Sequence, residues 1–524
     1  MRARFATLVL ASLTAAACAA QPPPPVEAPP PAAPVPVASA PVEAPPPETP
    51  DDDMRKQPPA IPGRGPTRAP KVDEAKLSNG VRVLVVERHD APIVSLQVVI
   101  PWGTATHAPG AQKLWASSLL ASPTKGAASL REALEAAGGS PLAEADIDAG
   151  HLAVNCLGTQ LDGVFDALSE ALMHPGFTKE VVEKERTHLS EMASRISPRD
   201  HLRRIATEQL LPAGHPYRIA LDPDDADVKK LGLADVTRLH AGAVHPEGVT
   251  IVVVGDVTKA ALVTLLEKRL AAWKGKGTPI TPPAKLATGV HVIDQGDDAE
   301  ADVAVVVPAV PRTSKDWFVA TLVNQLAQED LEQRLRERVT ASWSWSTARL
   351  DQTRVPGLWT FGVRVGKSGA SAAVESFLAE HERLAKGEFS DDRLAATKRQ
   401  WARWTETLLD RSSDTAWSLA RIAAYGLSFD DLATMRDTFV SASREDIRRV
   451  AAAYLDRKLV RVVVSGDARA VKDPLTKLSL GPLHMTKAPP RPKLAAEAMG
   501  IAGGVVGGTL SAPHPPPKPQ PKKK

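Results

Sequence analysis

The chain has 524 residues, and its 64 lysine and arginine side chains are nearly balanced by 61 aspartate and glutamate side chains, for a formal net charge of +3. This balance argues against the strongly basic surface of a nucleic-acid-binding protein, and we expect no nucleic-acid partner. With 43% hydrophobic residues the chain can fill sizeable cores, and its length predicts two or three domains.

The N-terminus has the pattern of an export signal, "MRARFATLVLASLTAAACAA". Two arginines precede an apolar run too short to span a membrane, and small residues follow. Cys18 follows three alanines, which resembles the lipobox of bacterial lipoproteins, although Ala15 stands where leucine is usual. We therefore predict a signal peptide over residues 1–18 and a lipid anchor on Cys18, with ordinary signal cleavage as the alternative.

Either form of processing places the protein outside the cytoplasm, in a bacterial cell envelope and facing the periplasm. If Cys18 is lipidated, Ala19 in the next position favours the outer membrane.

Two segments at the ends have compositions that bury little apolar surface. Residues 19–71 are rich in proline and alanine, which favours an extended, disordered spacer. Residues 483–524 become rich in glycine, then in proline and lysine, and are predicted to be a disordered tail.

The body between these segments contains an internal duplication. The segment "LADVTRLHAGAVHPEGVTIVVVGDV" (233–257) parallels "REDIRRVAAAYLDRKLVRVVVSGDA" (444–468). In both, an amphipathic helix leads to an apolar β-branched strand that ends in Gly-Asp. We infer two homologous halves, residues 72–275 and 287–482, joined by a linker at 276–286 that contains "KGTPITPPAK".

Within the first half, strands come first and helices follow. Residues 129–139 form an amphipathic helix ended by glycine, "AEADIDAGHLAVNCLG" predicts a hairpin, and residues 178–197 form a long charged helix. This order predicts an α+β fold in which each half is a mostly antiparallel sheet covered by helices.

Taken together, these features resemble the insulinase/pitrilysin family of metallopeptidases, which includes the mitochondrial processing peptidases. The most specific segments are "LSNGVRVLVVERHDAPIVSLQVVIPWGT", "LMHPGFTKEVVEKERTHLSEM" and "YGLSFDDLATMRDTFVSASREDIRRVAAAYL". They occur in family order and spacing, and the resemblance covers residues 72–482.

In that family an active half carries an H-x-x-E-H helix, whose two histidines bind zinc while the glutamate activates water, and a distal glutamate is the third ligand. The resemblance aligns Leu114 and Ser118 with the histidines and Ser117 with the catalytic glutamate. Only the distal glutamate is retained, as Glu191. The resemblance therefore implies a degenerate member with no catalytic residues, no zinc and no other cofactor.

Two residues of the second half align with a substrate-binding segment of the family. Arg336 keeps its identity, but Trp343 stands where the family has a tyrosine, so a hydroxyl is missing. Both remain candidate substrate contacts, with a surface ion pair as the alternative for Arg336. His188 and Glu191 could share a helix face as a weak metal site, but a solvated pair is the simpler interpretation.

The resemblance suggests a non-catalytic partner subunit of a zinc-bearing family member, acting on unfolded peptides or proteins. A stand-alone envelope protein that binds peptides or acts as a scaffold is the alternative. A minor alternative is an active zinc endopeptidase with an atypical site.

Overall fold

The computed structural model describes residues 69–101, 108–193, 197–212, 215–218, 223–276 and 285–488. The predicted signal peptide, Cys18, nearly all of the spacer, most of the linker and the tail beyond residue 488 lie outside the described residues.

The first half alternates strands and helices. Its elements are β1 (Asp73–Lys76), β2 (Arg82–Glu87), β3 (Ile93–Pro101), α1 (Ala111–Ala121), α2 (Leu130–Ala136), β4 (Ser140–Ala145), β5 (Ala149–Leu157), α3 (Leu161–Met173), α4 (Lys179–Ala193), α5 (Pro198–Leu210), α6 (Asp225–Val228), α7 (Leu233–Ala243), β6 (Thr250–Gly255) and α8 (Lys259–Leu270).

The second half repeats this plan. Its elements are β7 (Val290–Asp294), β8 (Glu300–Pro308), α9 (Trp317–Arg338), β9 (Trp343–Leu350), β10 (Leu358–Gly366), α10 (Ala370–Lys386), α11 (Asp391–Asp410), α12 (Ser412–Tyr425), α13 (Asp430–Ser441), α14 (Arg444–Tyr454), β11 (Arg461–Gly466), α15 (Ala468–Lys477) and β12 (Leu483–Lys487).

Each half contains one six-stranded sheet, and the two sheets share a strand order. The first runs β1-β2-β6-β3-β5-β4 and the second β12-β7-β11-β8-β10-β9. In each half one inner pair is parallel, β2 with β6 and β7 with β11, and the three pairs that follow toward β4 or β9 are antiparallel. The predicted α+β fold of two mostly antiparallel halves is confirmed.

The two sheets differ at one edge, and there the predicted start of the tail is wrong. The strand β12 begins at the predicted boundary and pairs in parallel with β7, and Val290 N–H donates to the carbonyl of Pro482. Backbone hydrogen bonds to an open strand edge order this segment. Its side chains are mostly exposed, so no apolar alternation marked it as a strand.

The duplicated helix–strand units occupy equivalent places. In α7, Val236 and Leu239 are buried, and in α14 Ile447 and Val450 are buried. The strands that follow, β6 and β11, each lie between a parallel and an antiparallel neighbour. The sequence repeat therefore corresponds to a structural repeat.

The halves exchange one helix each. Helix α5 of the first half packs on β8, β10 and β11, and helix α12 of the second half packs on β3 and β6. Leu202 of α5 is buried in a cluster with Trp345 and Val463 of the second sheet. Because each sheet is covered on one face by the other half, the body is held together by apolar burial rather than by a linker alone.

Arginine 88 adds a polar connection between the halves. Its guanidinium donates to the carbonyl of Leu409 at 2.8 Å and to Oγ1 of Thr415 at 3.0 Å. The carbonyls at a helix C-terminus have no partner within the helix, so this side chain supplies a donor to a carbonyl at the end of α11.

Among the described residues, no helix is both long enough and apolar enough to cross a bilayer.

Candidate functional site

Helix α1 is the counterpart of the zinc helix, and its predicted ligand positions are buried. Leu114 and Ser118 are both 0% exposed, as is Trp115 between them. Gly110 begins the helix with φ of +82°, and a Cβ there would lie 2.6 Å from Cγ of Pro223, so a side chain is excluded at that turn. The helix packs against β4, α4 and α7, which places this face in the core of the first half.

The two serines of α1 cannot replace the catalytic glutamate as a general base. Ser117 is half-buried, and its hydroxyl donates to the carbonyl of Leu114 at 3.3 Å, one turn back in the same helix. The Ser118 hydroxyl is buried without a hydrogen-bond partner among the described residues. A serine hydroxyl next to no carboxylate or imidazole cannot act as a general base near neutral pH.

Histidine 240, on the neighbouring helix α7, is held as a neutral ring. Trp115 Nε1 donates to its Nδ1 at 3.2 Å, and its Nε2 lies 3.1 Å from the carbonyl of Leu172. Burial lowers the pKa of His240 to about 4. His245, five residues on, is also buried, but the two side chains make no shared polar contact among the described residues, so they form no site together.

The predicted third ligand, Glu191, lies on α4, which packs directly against α1. Its side chain is exposed, and so is that of His188 one turn earlier. Across the described part of the chain, no three His, Cys, Asp or Glu side chains come together in a way that could hold a metal ion. The helix pairing expected for a metal site is therefore present, but the ligand set is not assembled in these residues.

Arg336 and Trp343, the two candidate substrate contacts, lie together. The Arg336 guanidinium carbon is 5.9 Å from the centre of the Trp343 ring, within range of a cation–π interaction. The arginine side chain is 67% exposed and also lies 3.4 Å from Glu332. Trp343 begins β9, the edge strand of the second sheet.

The edge strands β4 and β9 occupy equivalent positions in the two sheets but differ in the hydrogen bonds that their backbones make. In β9 the Ala348 N–H donates to the Gln328 side chain, and its carbonyl accepts from Asn324 Nδ2 at 3.1 Å. Both side chains come from α9. In β4 the backbone hydrogen bonds among the described residues all run to β5. Side-chain amides therefore occupy backbone groups at the β9 edge, whereas no described residue makes such a contact with the backbone of β4.

Family models match both halves of this body. The model described as "Insulinase (Peptidase family M16)" matches residues 82–214, and the model described as "Peptidase M16 inactive domain" matches residues 230–401. The chain belongs to the insulinase (M16) peptidase family. A search of curated protein sequences finds no match.

Solved structures share this M16 fold. The peptidase M16 inactive domain from Pseudomonas fluorescens superposes with a TM-score of 0.66 at 17% identity, covering 76% of this chain and 98% of that one. A protease from Helicobacter pylori gives 0.65 at 20% identity, with 76% and 100% covered. A chain of Complex III2 from Candida albicans, solved with Inz-5 bound, gives 0.61 at 14% identity, with 78% and 100% covered.

The zinc of active M16 peptidases does not fit the residues present here. The Leu114 side chain has no donor atom, and both it and Ser118 are enclosed by apolar side chains of the core. A catalytic zinc takes three protein ligands, usually imidazole, thiolate or carboxylate.

A buried polar cluster between the halves was not predicted from the sequence. Asp148, in the turn between β4 and β5, accepts from the Tyr217 hydroxyl at 2.8 Å and from the backbone N–H of Arg354 at 3.0 Å. Burial and the nearby carboxylate of Asp146 raise the pKa of Asp148 to about 6. The run "ADIDAGH" carries these acids, but acids at a hairpin turn ordinarily face solvent, so the sequence alone offered no reason to bury them.

Asp146 and His151 complete this cluster. Burial raises the pKa of Asp146, but hydrogen bonds from His151 and from two backbone N–H groups outweigh it and hold that pKa below its usual range. The His151 ring lies 4.7 Å from the Trp417 ring of α12. The cluster joins the first half to the exchanged helix of the second.

Proposed function

We propose that this protein is a non-catalytic M16 subunit that works with a zinc-bearing family member in the processing of peptides or unfolded proteins. It is exported and tethered to the outer membrane through Cys18. The match of the second half to the M16 inactive domain supports this proposal.

The single observation that carries the proposal is the state of α1. Where an active member places two zinc ligands, this chain has two fully buried side chains, Leu114 and Ser118, in a core that includes Trp115. An apolar core position is the opposite of a water-accessible catalytic site. The helix has kept its packing role, so the fold can serve as the wall of a chamber without supplying the chemistry.

The exposed features support contact with extended polypeptide. Arg336 and Trp343 present a cation and an aromatic face together at one sheet edge. The open backbone of β4 can pair with an added strand, a recognition mode in which main-chain hydrogen bonds supply affinity with little sequence preference.

Metal content and peptide cleavage by the lone chain test the non-catalytic assignment. The full exported chain is purified without added metal, its zinc is quantified, and cleavage of an unstructured peptide is followed with and without a chelator. We expect less than stoichiometric zinc and no chelator-sensitive cleavage. One zinc per chain with cleavage abolished by the chelator would establish an active peptidase instead.

Capture of partners tests the subunit role. The tagged chain is cross-linked in envelope fractions of its native host, and the captured proteins are identified. A chain carrying H-x-x-E-H, recovered in near-equal amount and restoring cleavage when mixed with the purified protein, is the expected result. A monomeric protein with no such chain captured argues for the second candidate, a stand-alone peptide-binding protein, which the open β4 edge favours.

Cys18→Ser tests the lipid anchor. The wild-type chain should incorporate labelled fatty acid and fractionate with the outer membrane, whereas the variant should lose the label and be released by a gentle wash. Equal fractionation of the two chains without label would point to ordinary signal cleavage.

A further inference from the structure

A charged cavity lies where the two halves meet, away from α1. It has a volume of about 250 Å³ and lies between the start of α5, the β9–β10 edge of the second sheet and α9. Helix α5 comes from the first half, so the cavity exists only because the halves exchange helices.

Two arginines of this cavity share one carboxylate. Arg349 Nε lies 3.2 Å from Oδ1 of Asp351, and Arg203 Nε lies 3.5 Å from the same oxygen. The side chains are largely buried, with Arg203 13% exposed, Arg349 28% and Asp351 7%. Nε of Arg203 makes no hydrogen bond among the described residues.

The rest of the lining contains one more arginine and one aspartate. Arg199 also lines the cavity, with its guanidinium carbon 5.6 Å from the centre of the Trp345 ring. The one acid in the lining is Asp200, which accepts from the Ser197 hydroxyl at 2.6 Å at the start of α5. Among the described residues that line the cavity, three therefore carry a guanidinium group and one a carboxylate, and Asp351 is the carboxylate that Arg203 and Arg349 share.

Neutral donors complete the lining. Thr360 lies directly opposite Arg349 on the neighbouring strand, so both side chains are on the face that α5 covers. Trp317 lines the cavity from α9; it is 2% exposed, and its buried Nε1 N–H has no partner among the described residues. A buried donor without an acceptor costs free energy, which an occupant with acceptor oxygens would recover.

We propose that this cavity binds a small oxyanion, a phosphate or carboxylate group, held by Arg203 and Arg349 with Thr360 as a neutral donor. Paired guanidiniums present several N–H donors in a fixed plane that matches such groups. Burial and the neighbouring Arg203 lower the pKa of Arg349, so an anion would relieve an existing repulsion as well as form hydrogen bonds.

The size of the cavity restricts the occupant. Pockets for drug-sized ligands span about 300–1,000 Å³, so this one suits a free phosphate, a short dicarboxylate or the acidic end of a larger molecule. Because its walls come from both halves, binding stabilises the junction between them, and an anion in excess raises the unfolding temperature in a saturable way.

The test is thermal unfolding and calorimetric titration of the full chain with inorganic phosphate and with succinate, against sodium chloride at matched ionic strength. We expect at least one of the two anions to bind saturably at one site per chain. Phosphate binding alone would identify a phosphoryl ligand, and succinate binding alone a carboxylate.

Three variants test whether the anion binds in this cavity. Arg203→Gln and Arg349→Gln should each weaken binding by about tenfold or more, the usual effect of losing one charge-assisted hydrogen bond to an anion. Thr360→Val keeps shape and charge, so it reports on the hydroxyl even if an arginine variant folds poorly. Arg238→Gln, at a side chain 77% exposed on α7, is the matched control and should bind like wild type.

Two results would overturn the proposal. One is the absence of any saturable shift with either anion in wild type. The other is equal binding by wild type, Arg349→Gln and Thr360→Val, which would place the anion elsewhere on the surface.

Discussion

The indole N–H of Trp115 donates to Nδ1 of His240 across 3.2 Å, and this bond ties the former zinc helix to α7. The other ring nitrogen of His240 lies 3.1 Å from the carbonyl of Leu172, so it must carry the proton and the imidazole is neutral. A histidine next to the degenerate site is thus a structural acceptor in a closed core. Protonation would require it to donate to a group that is itself a donor.

This arrangement predicts a loss of stability in acid. The pKa of His240 is about 4 when folded and about 6.5 when unfolded, so the unfolded chain binds the extra proton first. The contribution of His240 to the free energy of unfolding is therefore complete above pH 6.5. It falls by about 3 kcal/mol as the pH drops to 4. His240→Gln keeps an acceptor and a donor but does not titrate, and denaturant melts from pH 8 to 4 should show a flatter profile for it. Parallel profiles would contradict the assignment.

Titration of Asp148 should change the free energy of unfolding with pH in the opposite direction. Its pKa is about 6 when folded and about 3.8 when unfolded, so the folded chain binds the proton first and is stabilised as the pH falls from 6 toward 3.8. Asp148→Asn removes this titration, so its free energy of unfolding relative to wild type should be higher at pH 7.5 than at pH 4.5 by about 2 kcal/mol. The same melts measure this difference. A difference that does not change with pH would show that Asp148 does not titrate in this range.

The packing role of α1 can be measured directly. Leu114→Ala removes a fully buried side chain from the first-half core, and we expect a loss of about 2–5 kcal/mol in the free energy of unfolding. Ser117→Ala, three positions along the same helix, removes only a local hydroxyl and should change stability by less than about 0.5 kcal/mol. Similar values for the two variants would mean that the helix does not contribute to the core in this way.

The Gly-Asp end of β6 predicts a second matched pair. At Gly255 φ is +143°, and an added Cβ would lie 2.1 Å from the carbonyl oxygen of Ile93, so Gly255→Ala should cost about 3 kcal/mol or more. Gly242, exposed within α7, has nothing within 4 Å of an added Cβ. There alanine should stabilise the helix by about 0.5–1 kcal/mol. Chemical denaturation of both variants tests the contrast, and equal effects would refute it.

Much of the fold could be predicted because the signals were local. The helix–strand units ending at Asp256 and Asp467 were visible as a repeat, and the segment "AEADIDAGHLAVNCLG" predicted the β4–β5 hairpin. Strand β12 was not predicted, because four of its five side chains are exposed and only backbone pairing with β7 orders it.

The sequence by itself determined that this chain has two α+β halves and no histidine on the helix that matches the family's zinc helix. Those properties depend on residue identity and on a periodicity that spans a few turns. The tertiary structure decided which side chains meet. It placed Arg203 beside Asp351, and Asp148 against the backbone of Arg354, 206 residues away. Such contacts depend on the exchange of α5 and α12 between the halves, and no local pattern encodes the face on which a distant helix will pack.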